Sequence, residues 1–181
     1  PDGPMHWGHA DSADLLRWRD LPIALEPDEP YLKGMGCWSG SAVEHDGGLA
    51  AVFTGVDRIE EQTVCLATSS DGISFAKEPG NPVIKGPPEG FGRDFRDPRV
   101  FRWKDAWRLV IGVSKDGTGS ILLYESRDLR KWSLLGVFAR SDGSRGTMWE
   151  CPDLFPLADR WVLVRTTVPY DAIKAGVRVL S

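Results

Sequence analysis

Short apolar runs separated by turn residues divide this chain into strand-length pieces. Gly40 to Glu44 is apolar and bounded by small residues, His45-Asp46-Gly47-Gly48 has hairpin-turn composition, and Leu49 to Thr54 returns. Gln62 to Ser69 predicts a third strand, and the stretch after Asp71-Gly72 that contains Phe75 predicts a fourth. The plan then recurs with Pro98 to Trp103, a turn at Lys104-Asp105, Trp107 to Val113, Ser120 to Glu125 and Lys131 to Val137. A third copy opens with Asp153 to Leu157, turns at Ala158-Asp159 and continues over Trp161 to Val168. Met5 to Ala10 and Trp18 to Ile23 read as the third and fourth strands of an earlier unit.

The recurrence has a fixed period. Ser12-Ala13-Asp14-Leu15 to Trp18, Ser69-Ser70-Asp71-Gly72 to Phe75 and Ser126-Arg127-Asp128-Leu129 to Trp132 share Ser-x-Asp with an aromatic four residues after the Asp, at intervals of 57 residues. A second pattern falls between them, in Trp38-Ser39-Gly40-Ser41-Ala42-Val43, Phe95-Arg96-Asp97-Pro98-Arg99-Val100 and Glu150-Cys151-Pro152-Asp153-Leu154. Such a period with strand content predicts an all-β fold of radially repeated sheets, a β-propeller with about three blades present. The end of a first blade is expected at 1–25, a second blade at 36–80, a third at 94–140 and an incomplete fourth at 149–181. An open ring leaves apolar blade faces uncovered, so the remaining blades are expected outside these residues.

With 181 residues and 41% hydrophobic content the chain can bury a core. A net charge of −4 and a pI near 5.4 offer no basic surface for nucleic acid. No apolar run approaches the roughly 20 residues that cross a bilayer, so no membrane partner is expected either. Cys37, Cys65 and Cys151 are odd in number and lack CxxC spacing, which supports neither a disulfide framework nor a zinc site. The sequence starts at Pro1 and contains neither an initiator Met nor a signal peptide, and the compartment stays open. Eight tryptophans, 20 glycines and 13 prolines suit short strands, tight turns and an aromatic-lined sugar site.

In a propeller the first strand of each blade lines the axis, and the starts of these strands converge on one mouth. Trp38-Ser39, Arg96-Asp97 and Glu150 all fall at such starts, with Asp97 and Glu150 at corresponding places, one carboxyl group from each repeat. Two carboxyl groups across a pocket are what glycoside hydrolysis uses. Taken singly, Asp97 before a proline is equally a turn residue, and Arg96-Asp97 equally a structural ion pair. Trp149 and Cys151 predict an apolar neighbourhood for Glu150 that would raise its pKa and suit a general acid. Trp7 reads as core or as the edge of a sugar pocket. His6 and His9 have opposite parity, so packing and hydrogen bonding are expected of them rather than a shared metal. Gly117-Thr118-Gly119-Ser120 lacks the Gly-Lys-Ser/Thr of a phosphate loop and reads as a turn. Cys37 and Cys65 are expected to be buried, and Glu60-Glu61 to be a solvated loop.

Met5-His6-Trp7-Gly8-His9-Ala10, Asp14-Leu15 to Trp18, Leu21-Pro22-Ile23-Ala24-Leu25, Ser39-Gly40-Ser41-Ala42, Asn81-Pro82-Val83-Ile84, Phe95-Arg96-Asp97-Pro98 and Glu150-Cys151-Pro152-Asp153 occur in order. This series closely resembles glycoside hydrolase family 32, the invertases, levanases, inulinases and other β-fructofuranosidases. The resemblance implies a five-bladed propeller with a C-terminal β-sandwich, which is absent here, and a retaining double displacement on a fructofuranosyl unit. It implies Glu150 as acid/base, Asp97 as the transition-state stabiliser that binds fructosyl hydroxyls, and Arg96 as a pocket ligand holding the carboxylates. Trp38 and Ser39 stand where the family has Phe-Ser and would line the sugar subsite. The family nucleophile lies in an Asn-Asp-Pro-Asn-Gly motif upstream of the Trp-Gly-His segment. That motif does not occur here, and Asp2 does not replace it, so the 181 residues alone are expected to be inactive. The implied partner is a small or polymeric fructoside, with no metal or organic cofactor. A fructosyltransferase and a non-catalytic fructan-binding propeller remain alternatives, and sucrose, levan and inulin are not distinguished.

Overall fold

Every strand pairs antiparallel with its neighbour in sequence in the computed structural model, which describes residues 3–168. β1 (Trp7–Asp11) pairs with β2 (Arg19–Leu25). β3 (Gly36–His45), β4 (Gly48–Val56), β5 (Gln62–Ser69) and β6 (Ala76–Lys77) form a four-stranded sheet. β7 (Phe95–Trp103), β8 (Ala106–Lys115), β9 (Thr118–Ser126) and β10 (Trp132–Arg140) form the next, and β11 (Met148–Leu157) pairs with β12 (Arg160–Val168). These up-and-down sheets are blades of a β-propeller. Asp2 and residues 169–181 of the expected fourth unit lie outside the described residues. Among the described residues, no helix is long and apolar enough to cross a membrane.

The blades stack face to face, which explains why β4 and β8 are apolar without alternation. Alternate residues of a strand point to opposite faces, and here each face meets another sheet. On β4, Ala51 and Phe53 pack with Leu25, Leu32, Cys37, Cys65 and Ala67 toward the first blade. Ala50 and Val52 point the other way, into a core with Leu66, Phe95, Leu109 and Ile111. On β8, Val110 turns instead toward Ile121, Trp149, Leu154 and Leu163 of the next interface. Cys37 and Cys65 are buried within these layers.

The Ser-x-Asp repeats are turns that tie the third strand of a blade to the fourth. Ser12, Ser69 and Ser126 donate their hydroxyls to Asp14, Asp71 and Asp128 at 3.3, 2.9 and 3.1 Å. Each Asp Oδ1 then accepts two backbone N–H groups ahead of it, from Leu16 and Arg17, from Ile73 and Ser74, and from Arg130 and Lys131. The indoles of Trp18 and Trp132 close the turn on the carbonyls of Leu15 and Leu129. The backbone N–H of Ser74, with that of Ile73, holds the Asp71 carboxyl down at about 2. The stabilisation from that depressed value is present above the ordinary aspartate range and is lost as pH falls through about 2.

Three expectations need correction. The fourth strand expected around Phe75 is only the two-residue β6, because Asn81 takes over the edge: its side chain accepts the Leu66 N–H and donates to the Leu66 carbonyl. Phe75 packs into the core and meets the His9 ring edge-on at 5.9 Å. Gly119 and Ser120 are not in the turn but inside β9, where a Cβ on Gly119 would come within 2.4 Å of the Trp149 ring. His9 serves packing alone, since neither buried ring nitrogen has a hydrogen-bond partner among the described residues, whereas His6 Nδ1 lies 3.0 Å from the Pro4 carbonyl. Because the Trp149 ring is itself buried and cannot yield, Gly119→Ala is expected to destabilise the full-length protein by about 1–3 kcal/mol, read by urea denaturation. An unchanged midpoint would contradict this packing.

Candidate active site

The first strands β3, β7 and β11 are each broken by a bulge near their start. The register slips between Trp38 and Gly40, between Arg96 and Arg99, and between Glu150 and Asp153. Pro98 and Pro152 supply no N–H for a ladder, so they suit such a break. The residues ahead of them, Asp97 and Cys151, have φ of 65° and 46°, a left-handed backbone that is strained by about 1–3 kcal/mol in a non-glycine residue. Hydrogen bonds around the axis hold it. Thr54 Oγ1 donates to the Ser39 carbonyl at 3.0 Å and accepts the Asp97 N–H at 2.9 Å, and Asp97 Oδ2 accepts the Cys151 N–H at 2.9 Å.

These bulges set which side chains meet. Arg96 Nε and Nη2 both donate to Oε1 of Glu150, at 2.9 and 2.7 Å, across a sequence separation of 54. At that same separation Asp97 meets Cys151, and Arg99 donates to Asp153 at 2.7 Å. Asp97 and Glu150 are therefore not at corresponding places, as the repeat suggested: Glu150 matches Arg96, and Asp97 matches Cys151. The expected apolar neighbourhood of Glu150 is corrected as well. Trp149 is 3% exposed and turned into the core, its ring against Gly119 and its carbonyl against Gly112, so Glu150 is left facing Arg96.

A cavity of about 740 Å³ opens at this point, and Trp7, Trp38, Ser39, Arg96, Asp97 and Glu150 all line it. Trp7 is both core and pocket edge: its ring packs on Phe53, and its indole N–H donates to the Trp38 carbonyl at 3.0 Å. Trp38 donates its own indole N–H to the Met35 carbonyl. With both N–H groups used internally, the two rings offer a bound molecule only apolar surface. Among the described residues, no group of three or more His, Cys, Asp or Glu is placed to hold a metal ion.

The sequence profile of the glycosyl hydrolases family 32 N-terminal domain matches residues 1–177. The chain belongs to this family. It is 46% identical to a sucrose-6-phosphate hydrolase of Escherichia coli over 171 residues, 90% of this chain and 35% of that protein. It is 38% identical to a levanase of Bacillus subtilis over 194 residues, 96% of this chain and 27% of that protein. A mutant β-fructofuranosidase of Bombyx mori, solved in complex with sucrose, matches with a TM-score of 0.82 and 44% identity over 91% of this chain and 35% of its own. The chain thus spans 27–35% of the length of these relatives.

In this family 32 chain the electrostatics of the cavity follow from burial and from one shared cation. Burial raises the Asp97 carboxyl above its ordinary range, opposed by the Cys151 N–H and by Arg96. Partial burial, with the Asp97 charge beside it, pushes the Cys151 thiol up to about 11. The thiol therefore stays protonated and sits as a donor 3.6 Å from Asp97 Oδ2. Burial works against the charge on Arg96, but its bonds to Asp94 and Glu150 prevail and its pKa is raised. Asp94, Gln62 and Thr54 hold this arrangement and were not singled out in the sequence. Their signals are slight: Asp94 stands two residues before Arg96, and Gln62 is a polar residue opening an apolar strand.

Proposed function

We propose that the protein carrying this chain hydrolyses terminal β-D-fructofuranosides, sucrose or fructans, by a retaining double displacement. The observation that carries the reading is the state of Glu150. Arg96 fixes Oε1 with two N–H groups, while Oε2, at the wall of the cavity, has no hydrogen-bond partner among the described residues. A carboxyl group held by one oxygen is oriented, and its other oxygen is available to give a proton and take it back. In this reading Glu150 protonates the leaving glycosidic oxygen and then, as a carboxylate, draws a proton from the attacking water. Asp97 accepts fructosyl hydroxyls through Oδ1, which also lacks a partner among the described residues, and opposes the positive charge that develops on the ring. Trp7 and Trp38 supply the apolar wall, and Ser39 the polar edge. Asp97 and Glu150 are the carboxyl groups that line the cavity among the described residues, and in this reading neither is the nucleophile. The relatives' names, a sucrose-6-phosphate hydrolase and a levanase, support the substrate class.

Proton NMR of the full-length protein acting on sucrose tests the reading. Fructose should appear first as the β-furanose. Release of the α-anomer would overturn the retaining mechanism, and no release of fructose would overturn the assignment. Residues 1–181 expressed alone are expected to release no fructose and to associate, because Leu134, Leu135, Val137 and Phe138 of β10 are 43–52% exposed. Sedimentation of a monomeric, active fragment would contradict both expectations.

A further inference from the structure

One guanidinium in this site serves two carboxylates. Arg96 gives Nε and Nη2 to Glu150, while Nη1 donates to Asp94 Oδ1 at 2.8 Å and to Gln62 Oε1 at 3.1 Å. Gln62 is 1% exposed and held at both ends of its amide: its Oε1 also accepts the Phe95 N–H, and its Nε2 donates to the Ile59 carbonyl. The Asp94 side chain is about one-third exposed, and its Oδ2 accepts the Ser114 hydroxyl at 3.3 Å. We propose that Asp94 and Gln62 are positioning residues that set, through Arg96, the pH at which Glu150 carries its catalytic proton. This rests on the reading of Glu150 as acid/base.

The charge of Arg96 is divided between two carboxylates. A carboxylate facing an arginine alone is held ionised far below neutral pH, where it is useless as an acid at physiological pH. A second carboxylate on the same guanidinium repels the first and takes part of the cation's field, which favours the protonated form of its neighbour. The neutral Gln62 accepts the remaining N–H of Nη1 without adding a third negative charge. Among the described residues, the other titratable groups that line the cavity with Glu150 and Arg96 are Asp97 on β7, Cys151 on the strand of Glu150, His6 and Cys37. Substitutions at Asp94 or Gln62 leave all four in place.

The experiment is the pH dependence of kcat/KM on sucrose for the full-length protein. The limb on which activity falls with rising pH reports loss of the acid's proton in the free enzyme. Asp94→Asn keeps the size and a carbonyl acceptor for Arg96, and should move that limb down by about half to one pH unit. Gln62→Glu should move it up by a similar amount, and Asp94→Glu should restore it. A merely structural role would lower activity without moving the limb in opposite directions. An active Asp94→Asn protein with an unmoved limb overturns the proposal even if Gln62→Glu does not fold. An unsubstituted protein that shows no fructosidase activity overturns the acid/base reading as well.

Discussion

Replacing Glu150 with glutamine in the full-length protein is expected to lower kcat on sucrose by about 10²–10⁴-fold, the usual value of general-acid assistance. The amide preserves the acceptor oxygen for Arg96, so the loss should come from the proton and not from the position. A fructoside whose leaving group departs as a stable anion needs no protonation, and on it the loss should be much smaller. Steady-state rates on both substrates decide the matter. Equal losses would mean that Glu150 orients the substrate and does not act as an acid.

Asp97→Asn should lower kcat by about 10²-fold or more while changing KM little, because a carboxylate opposite a developing cation acts mainly in the transition state. The same substitution should not weaken the fold. Burial raises the Asp97 pKa in the folded protein above the ordinary value of 3.8, so the folded state binds this proton more tightly than the unfolded one. Keeping the group ionised therefore works against folding, increasingly as pH rises from 3.8 through the raised value. The asparagine variant still accepts the Cys151 N–H and has no charge to bury. Its melting temperature should equal or exceed that of the parent at pH 7, with the difference closing as pH falls toward 3.8. A wild-type kcat would overturn the role of Asp97, and a large drop in melting temperature would overturn the account of its burial.

The sequence by itself determined what depends on short separations. The Ser-x-Asp turns are legible because the serine, the aspartate and the N–H groups they bond lie within five residues, as in Ser69 to Ser74. Apolar runs such as Leu49 to Thr54 announced strands, and the order of the Arg-Asp-Pro and Glu-Cys-Pro-Asp segments announced the family and the convergence of six residues on one cavity. Where a side chain supplanted a strand, as Asn81 does at the edge of β5, the sequence reading failed, since an asparagine bonding to Leu66 fifteen positions away leaves no periodic mark. The pairing inside the site belonged wholly to tertiary structure. Bulges at Asp97 and Cys151 shift the register by one residue, and that shift puts Glu150 against Arg96, Asp97 against Cys151, and Trp149 into the core. The division of Arg96 between Glu150 and Gln62 likewise belongs to tertiary structure, whereas Asp94 is its near neighbour in sequence. Those contacts join residues up to 54 positions apart, and their geometry is fixed by how one blade packs against the next.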